Sequence, residues 1–167
     1  IWWYMYKIIL AVLISAMPLI GLANEVEDNE PIFSKVEIDK SVYGCVPGRS
    51  IWLDHSDMII SCLKKEYAVS DAILNRRYNR MISSFNWDMK TSADERTKVR
   101  LNSLRKAQRQ WIVFRDSECK FVEADEKNEG GEISRYMCLV SATYERANKL
   151  SEYLNCPIVF VCPLAAG

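Results

Sequence analysis

The residues best suited to chemistry form two polar clusters that interrupt apolar helical stripes. The first cluster contains Asp71 and Asn75, and the second contains Gln108, Arg115 and Asp116 around Trp111. Asp71 and Asp116 could act as a general acid and base. Alternatively, Asp71 pairs with Arg115, and the remaining polar groups complete a structural clamp that fixes helix register. Positive charge beside a carboxylate favours its ionised form over a poised general acid, so the clamp is the preferred interpretation.

Composition and motifs argue against most other chemistry. The 167 residues carry 22 Lys+Arg and 22 Asp+Glu, and this zero net charge disfavours nucleic acid as a partner. His55 is the single histidine, which excludes a zinc helix of the HExxH type and a Cys2His2 finger. Neither a CxxC pair nor a phosphate-binding glycine loop occurs. The sequence therefore predicts no metal and no cofactor.

The first residues predict export. Met5-Tyr6-Lys7 precedes the uncharged apolar stretch Ile8–Ala23, which ends in Gly21-Leu22-Ala23. A positive start, an apolar core and small residues at the cleavage positions are typical of a signal peptide, here residues 1–23. A retained membrane anchor is the alternative, and the membrane would then be contacted only through this segment. A lipoprotein would need cysteine at position 24, which is Asn24. We expect a periplasmic or secreted bacterial protein.

Export favours disulfides for the cysteines. The six are Cys45, Cys62, Cys119, Cys138, Cys156 and Cys162. In an oxidising compartment such cysteines form disulfides more often than metal sites or nucleophiles, although spacing alone does not choose the pairing. The last pair brackets the apolar tail, residues 155–167, which is either an extended segment closed by a Cys156–Cys162 bridge or disordered sequence.

Three long helices must position the polar clusters. Residues 24–44 are acidic at first and lack an apolar period, which predicts a flexible lead-in. Apolar residues then recur at three- and four-residue steps from Asp57 to about residue 86, again after a capping box at Ser92–Glu95, and again from Ile133 to Leu154. The second helix is expected to end in the charged stretch 123–132, broken by Gly130-Gly131. Short connections favour an all-α, antiparallel bundle of three main helices.

The combined spacing of these residues resembles the lysozyme inhibitor LprI-like family. The matching strings are Asp71-x-x-Leu74-Asn75-x-x-Tyr78, Gln108-x-x-Trp111-x-x-x-Arg115-Asp116-x-x-Cys119, Gly130-Gly131, and Cys138-x-x-x-x-Thr143-x-x-Arg146-x-x-x-Leu150. The resemblance covers the helical domain at residues 45–154. It implies a small exported helical protein of the bacterial envelope, with bridges Cys45–Cys62 and Cys119–Cys138. The acidic lead-in and the two-cysteine tail depart from the family pattern.

This resemblance implies a protein that binds and blocks a lysozyme or related muramidase, without catalysis of its own. Many lysozymes are basic, so an acidic element would speed the encounter. The candidate partner-binding residues are Glu123, Asp125, Glu126 and Glu129, in the stretch between the second and third helices. A solvated loop is the alternative for that stretch. Two other functions stay open: an envelope immunity protein that binds another protein effector, and an enzyme that uses Asp71 with Asp116 or Glu118.

Basic residues on the first two long helices form one more candidate surface. They are Arg76, Arg77, Arg80, Arg100, Arg105, Lys106 and Arg109. They could face lipopolysaccharide or another anionic surface. Acidic residues nearby in sequence favour a solvated outer face instead.

Overall fold

The computed structural model describes residues 32–46, 55–92, 94–125 and 129–155. All regular structure in these ranges is helical: α1 spans Lys35–Tyr43, α2 Ser56–Ser92, α3 Glu95–Asp125 and α4 Glu129–Asn155. The predicted all-α fold with three main helices is confirmed, and α1 is an additional short helix. The predicted signal segment, the Cys156–Cys162 pair and most of the apolar tail lie outside the described residues.

The last helix, α4, is the central element of the described bundle, because its contacts with the other three helices are the most extensive. Lys64 pairs with Glu132 near the starts of α2 and α4, and Arg77 bonds Asn148 further along both, so these two helices are parallel. Cys119 of α3 is bonded to Cys138 of α4, and the Arg115 guanidinium bonds the hydroxyl of Thr143. Therefore α3 runs antiparallel to both neighbours, as short connections favour.

The core is a set of apolar residues on the facing sides of the helices. Leu74 and Phe85 of α2 pack with Leu101 of α3 and Leu150 of α4 at one end. Around the other end, Leu63 of α2 packs with Ile133 of α4 and with other buried residues. Leu63 and Leu150 are fully buried, and such a leucine stabilises the fold by about 1.5–3 kcal/mol through apolar burial.

Helix α1 corrects the prediction that residues 24–44 form a flexible lead-in, which is wrong for residues 35–43. Ser34 and Glu37 form a capping box at its start. Ile38 and Val42, one turn apart, are buried against Val140 of α4. A nine-residue helix contributes only this one apolar pair, too little to create a visible period in the sequence. Residues 24–31 lie outside the described residues.

The start of α3 differs from the predicted capping box. Helix α2 continues to Ser92, beyond the point where its apolar stripe fades, so Ser92 ends one helix and does not begin the next. The carboxylate of Asp94 instead accepts a hydrogen bond from the backbone N–H of Arg96 at 3.0 Å. Its backbone carbonyl accepts from Thr97. Asp94 therefore caps α3 in place of Ser92.

The predicted break at Gly130-Gly131 does not lie between the helices. Helix α3 continues to Asp125 and α4 begins at Glu129, so both glycines lie in the first turn of α4. A glycine inside a helix costs about 1 kcal/mol relative to alanine. Packing offsets this cost, because Ile133 in the next turn is 1% exposed and contacts the core. Tertiary burial thus overrides the local preference of the glycines.

Two disulfides connect the helices. Cys45, just after α1, is bonded to Cys62 of α2, and Cys119 of α3 is bonded to Cys138 of α4. These are the pairings that the family resemblance implied, and they fit an oxidising compartment. Within the described ranges, no helix has the length and apolar character that a membrane crossing requires.

Candidate functional site

Arg115 is the centre of the polar cluster between the helices, and only 5% of it is exposed. Its Nε and Nη2 donate to Oδ1 of Asp116 at 2.9 and 2.7 Å, and its Nη1 donates to Oγ1 of Thr143 at 3.3 Å. Nη1 also lies 3.9 Å from Oδ1 of Asp71. Bonds of this kind from an ionised donor are about twice as strong as neutral ones. Arg115 therefore connects all three long helices.

Aromatic rings enclose the same guanidinium. The Cζ atom of Arg115 lies 5.4 Å from the ring centre of Tyr67 and 5.0 Å from that of Trp111. Arg146 of α4 approaches the Trp111 ring at 5.7 Å, so the indole contacts two cations. Burial raises the pKa of the Tyr67 hydroxyl and lowers the pKa of Arg146. These contacts explain how two arginines are accommodated between the helices.

The geometry places the predicted clamp residues in two groups. Asp71 lies near Arg115, and its Oδ2 accepts from the Nδ2 of Asn75 at 2.8 Å. Gln108 belongs to a separate contact, because its Oε1 accepts from Nε of Arg146 at 3.0 Å. The carboxylate nearest to Arg115 is that of Asp116, its neighbour in sequence. Helical spacing did not indicate this contact.

The two remaining motif residues of α2 belong to the apolar core. Leu74 is 2% exposed, and Tyr78 packs against the same cluster. Both carboxylates, in contrast, stay about half exposed, at 41% for Asp71 and 54% for Asp116. Each contacts the guanidinium between them. This arrangement can orient the helices, and we propose that its role is structural.

Arg77 is the second buried arginine, and the sequence interpretation of a solvated outer face is wrong for it. Only 1% of Arg77 is exposed. Its Nη1 donates to Oδ1 of Asn148 at 3.3 Å, and its Cζ lies 5.2 Å from the Phe33 ring. The positions 70, 74, 77 and 81 are all buried at helical spacing, so Arg77 lies within a core stripe. That spacing was the signal available in the sequence.

Asn148 joins this arginine to the segment before α1. Its Oδ1 accepts from the backbone N–H of Phe33 at 2.9 Å, and its Nδ2 donates to the Phe33 carbonyl at 2.6 Å. The Phe33 ring packs edge-on against Tyr144, with ring centres 4.9 Å apart. One amide side chain of α4 therefore holds the entrance to α1 in place. No pattern in the sequence singled out Asn148.

The acidic stretch between α3 and α4 is partly neutralised by local pairs. Glu123 accepts from Nζ of Lys120 at 2.8 Å and lies 3.7 Å from Nε of Arg135. The Lys120 bond lowers the pKa of the Glu123 carboxyl. Glu132 pairs with Lys64 at 2.9 Å. Glu123 is therefore committed to contacts within the protein.

The other acidic candidates differ in position from Glu123. Glu118 and Asp125 are exposed on α3. Glu126 and the side chain of Glu129 lie outside the described residues. Within the part of the chain that the structure describes, no three acidic, cysteine or histidine residues cluster as metal ligands would. The end of α3 is thus the exposed acidic part of this region.

Comparison with known proteins identifies relatives of the helical domain. The model of the family described as "Lysozyme inhibitor LprI" matches residues 54–150. The chain is 29% identical over 130 residues to "Uncharacterized protein YecT" of Escherichia coli (strain K12), covering 71% of this chain and 80% of the relative. It is also 29% identical over 99 residues to "Uncharacterized protein R02472" of Rhizobium meliloti (strain 1021), covering 56% and 70%. No solved structure matches.

Proposed function

Because the chain belongs to the lysozyme inhibitor LprI family, we propose that it binds and blocks a lysozyme or related muramidase without catalysis. The family match carries this proposal, since it extends over all of α2 and α3 and most of α4. An inhibitor must keep its shape while it fills an enzyme cleft. Two disulfides and the Arg115 contacts between three helices support such rigidity. The proposed location is the periplasm or the exterior, where a muramidase would be met.

The region around the end of α3 is the proposed contact surface for the enzyme. Asp125 is exposed there, and Glu126 and Glu129 follow it in sequence. Negative charge at this end would attract a basic enzyme and accelerate association. Glu123 contributes less to this attraction, because Lys120 and Arg135 already balance its charge. Steering is therefore assigned to the three other carboxylates.

A lysis assay tests the function directly. Oxidised protein without residues 1–23, at a molar excess, should slow the clearing of a cell-wall suspension by hen-type or phage-type lysozyme. Inhibition of either enzyme supports the proposal. Unslowed clearing by both enzymes would refute it.

Charge substitutions test the proposed surface separately. Asp125→Asn with Glu126→Gln should slow association by about threefold at low salt, and the difference should shrink as salt screens the charges. Glu95→Gln with Glu145→Gln removes the same charge from exposed positions elsewhere and serves as the control. Association is measured by stopped flow or biosensor. Equal rates for the two variants would exclude the end of α3 from steering.

A further inference from the structure

Helix α3 presents an exposed uncharged face that the bundle does not cover. Val113, Phe114 and Phe121 are 66%, 60% and 72% exposed. Gln110, Ser117 and Ala124 are exposed on the same side, and we call this set of uncharged residues the α3 outer face: Gln110, Val113, Phe114, Ser117, Phe121 and Ala124. The buried residues of α3, which include Leu101, Gln108, Arg115 and Cys119, lie on the opposite side. The helix therefore has a second apolar side that faces solvent.

The spacing aligns the large side chains of this face. Phe114, Ser117 and Phe121 follow one another at steps of three and four, so they lie on one line along the helix. Glu118 lies one turn after Phe114, and Asp125 lies one turn after Phe121. Both carboxylates are exposed. Each phenylalanine is thus accompanied by a negative charge on the same side of the helix.

Single exposed apolar residues are common on protein surfaces and need no explanation. The α3 outer face differs because its apolar residues are contiguous along one helix. Residues 113–125 span about 18 Å at the helical rise. Apolar anchors at helical spacing are the residues that a helix uses to bind in a groove. Lys120 borders the face one turn after Ser117, and its ammonium group is paired with Glu123 at 2.8 Å.

We propose that the α3 outer face is the docking surface for a cationic muramidase, with Phe114 and Phe121 inserted in an apolar cleft that basic residues border. This proposal rests on the proposed function and specifies its contact surface. Charge complementarity favours this partner, because Glu118 and Asp125 accompany the aromatic anchors and match a basic rim. The face is also continuous with the acidic end of α3 through Asp125. A second copy of the chain fits less well, since Lys120, the lysine that borders the face, is already paired with Glu123.

The test compares two matched double variants of the oxidised protein in calorimetric titrations with hen-type lysozyme. Phe114→Ser with Phe121→Ser should weaken binding at least about thirtyfold, because aromatic anchors dominate interface energy. Trp87→Ser with Val69→Ser removes exposed apolar residues of α2, 69% and 48% exposed, and should change the dissociation constant less than about threefold. Thermal unfolding should be nearly the same for both variants.

The outcomes separate this inference from the function. If the unsubstituted protein inhibits and the phenylalanine variant binds equally well, the α3 outer face is refuted and the inhibitor function stands. If the unsubstituted protein neither binds nor inhibits, both proposals fail. A dimer that the phenylalanine variant converts to a monomer would show that a second copy covers the face. A marked fall in its melting temperature alone would show that another part of the chain covers it, and either result overturns the inference.

Discussion

Replacing Asn148 with alanine should release the segment that leads into α1. The amide of Asn148 makes two hydrogen bonds to the backbone of Phe33, at 2.9 and 2.6 Å, and accepts a third from Arg77 at 3.3 Å. Alanine can make none of them. The substitution leaves the N–H and carbonyl of Phe33 and one donor of Arg77 without these partners. The cost should therefore appear both in global stability and locally at Phe33.

The size of the effect follows from these bonds. Each of the two Phe33 bonds contributes about 1 kcal/mol net, and the longer bond from the charged Arg77 contributes a similar amount. The higher helix propensity of alanine returns about 0.5 kcal/mol. The free energy of unfolding should fall by about 2–3 kcal/mol. Exchange of the Phe33 amide hydrogen should become faster. The free energy of the opening that exposes this N–H should fall by at least the same amount, because the N–H loses its acceptor directly.

The assay pairs urea denaturation with hydrogen exchange. Asn79→Ala on α2 is the control, because Asn79 is exposed and undergoes the same gain in helix propensity. Ile38, whose N–H donates to the Ser34 carbonyl inside the capped start of α1, provides a second exchange probe. Asn148→Ala with the same urea midpoint as the control, and with unchanged exchange at Phe33, would refute the reasoning. Loss of protection at Phe33 alone would show that only the entrance to α1 depends on this side chain.

Two further predictions concern the disulfides and a surface pair. Cys119→Ala with Cys138→Ala should lower the free energy of unfolding by about 3 kcal/mol, because a loop of 19 residues is no longer closed in the unfolded chain, and an unchanged urea midpoint would contradict this. The Glu123 carboxyl should titrate below its usual 4.5 in carbon NMR, and Lys120→Ala should raise that midpoint. The pKa of Glu123 is lower in the folded than in the unfolded protein. The pair therefore stabilises the protein at pH values above the pKa of an ordinary carboxyl, and this stabilisation is lost as pH falls through the lowered pKa. Identical titrations with and without Lys120 would refute the pairing.

The long helices were predictable because their apolar residues recur over many turns. Leu63, Leu74 and Phe85 of α2 are all buried, as the stripe indicated. The nearness of Asp71 and Arg115 was also predictable, since both interrupt such stripes and each offers the other an opposite charge. Sustained periodicity and opposite charges can be read directly from the residue types and their spacing.

The details that the sequence did not predict depend on contacts between distant residues. Arg77 is a charged residue by type, and only the position of Asn148 and Phe33 on other elements makes its burial possible. Helix α1 is stable because Ile38 meets Val140 about a hundred positions later in the chain. Gly131 continues a helix because the neighbouring Ile133 is buried. In each case, contacts in the folded protein outweigh the conformational preference of the residue itself.

The two disulfides enclose two of the three connections between the helices. Cys45–Cys62 encloses the connection between α1 and α2, and Cys119–Cys138 encloses that between α3 and α4. The short link between Ser92 and Asp94 is enclosed by neither. Cleavage between Ser92 and Asp94 would therefore leave two internally cross-linked parts that neither of these disulfides joins, held together by the apolar core and by polar contacts such as Lys64–Glu132 and Arg77–Asn148.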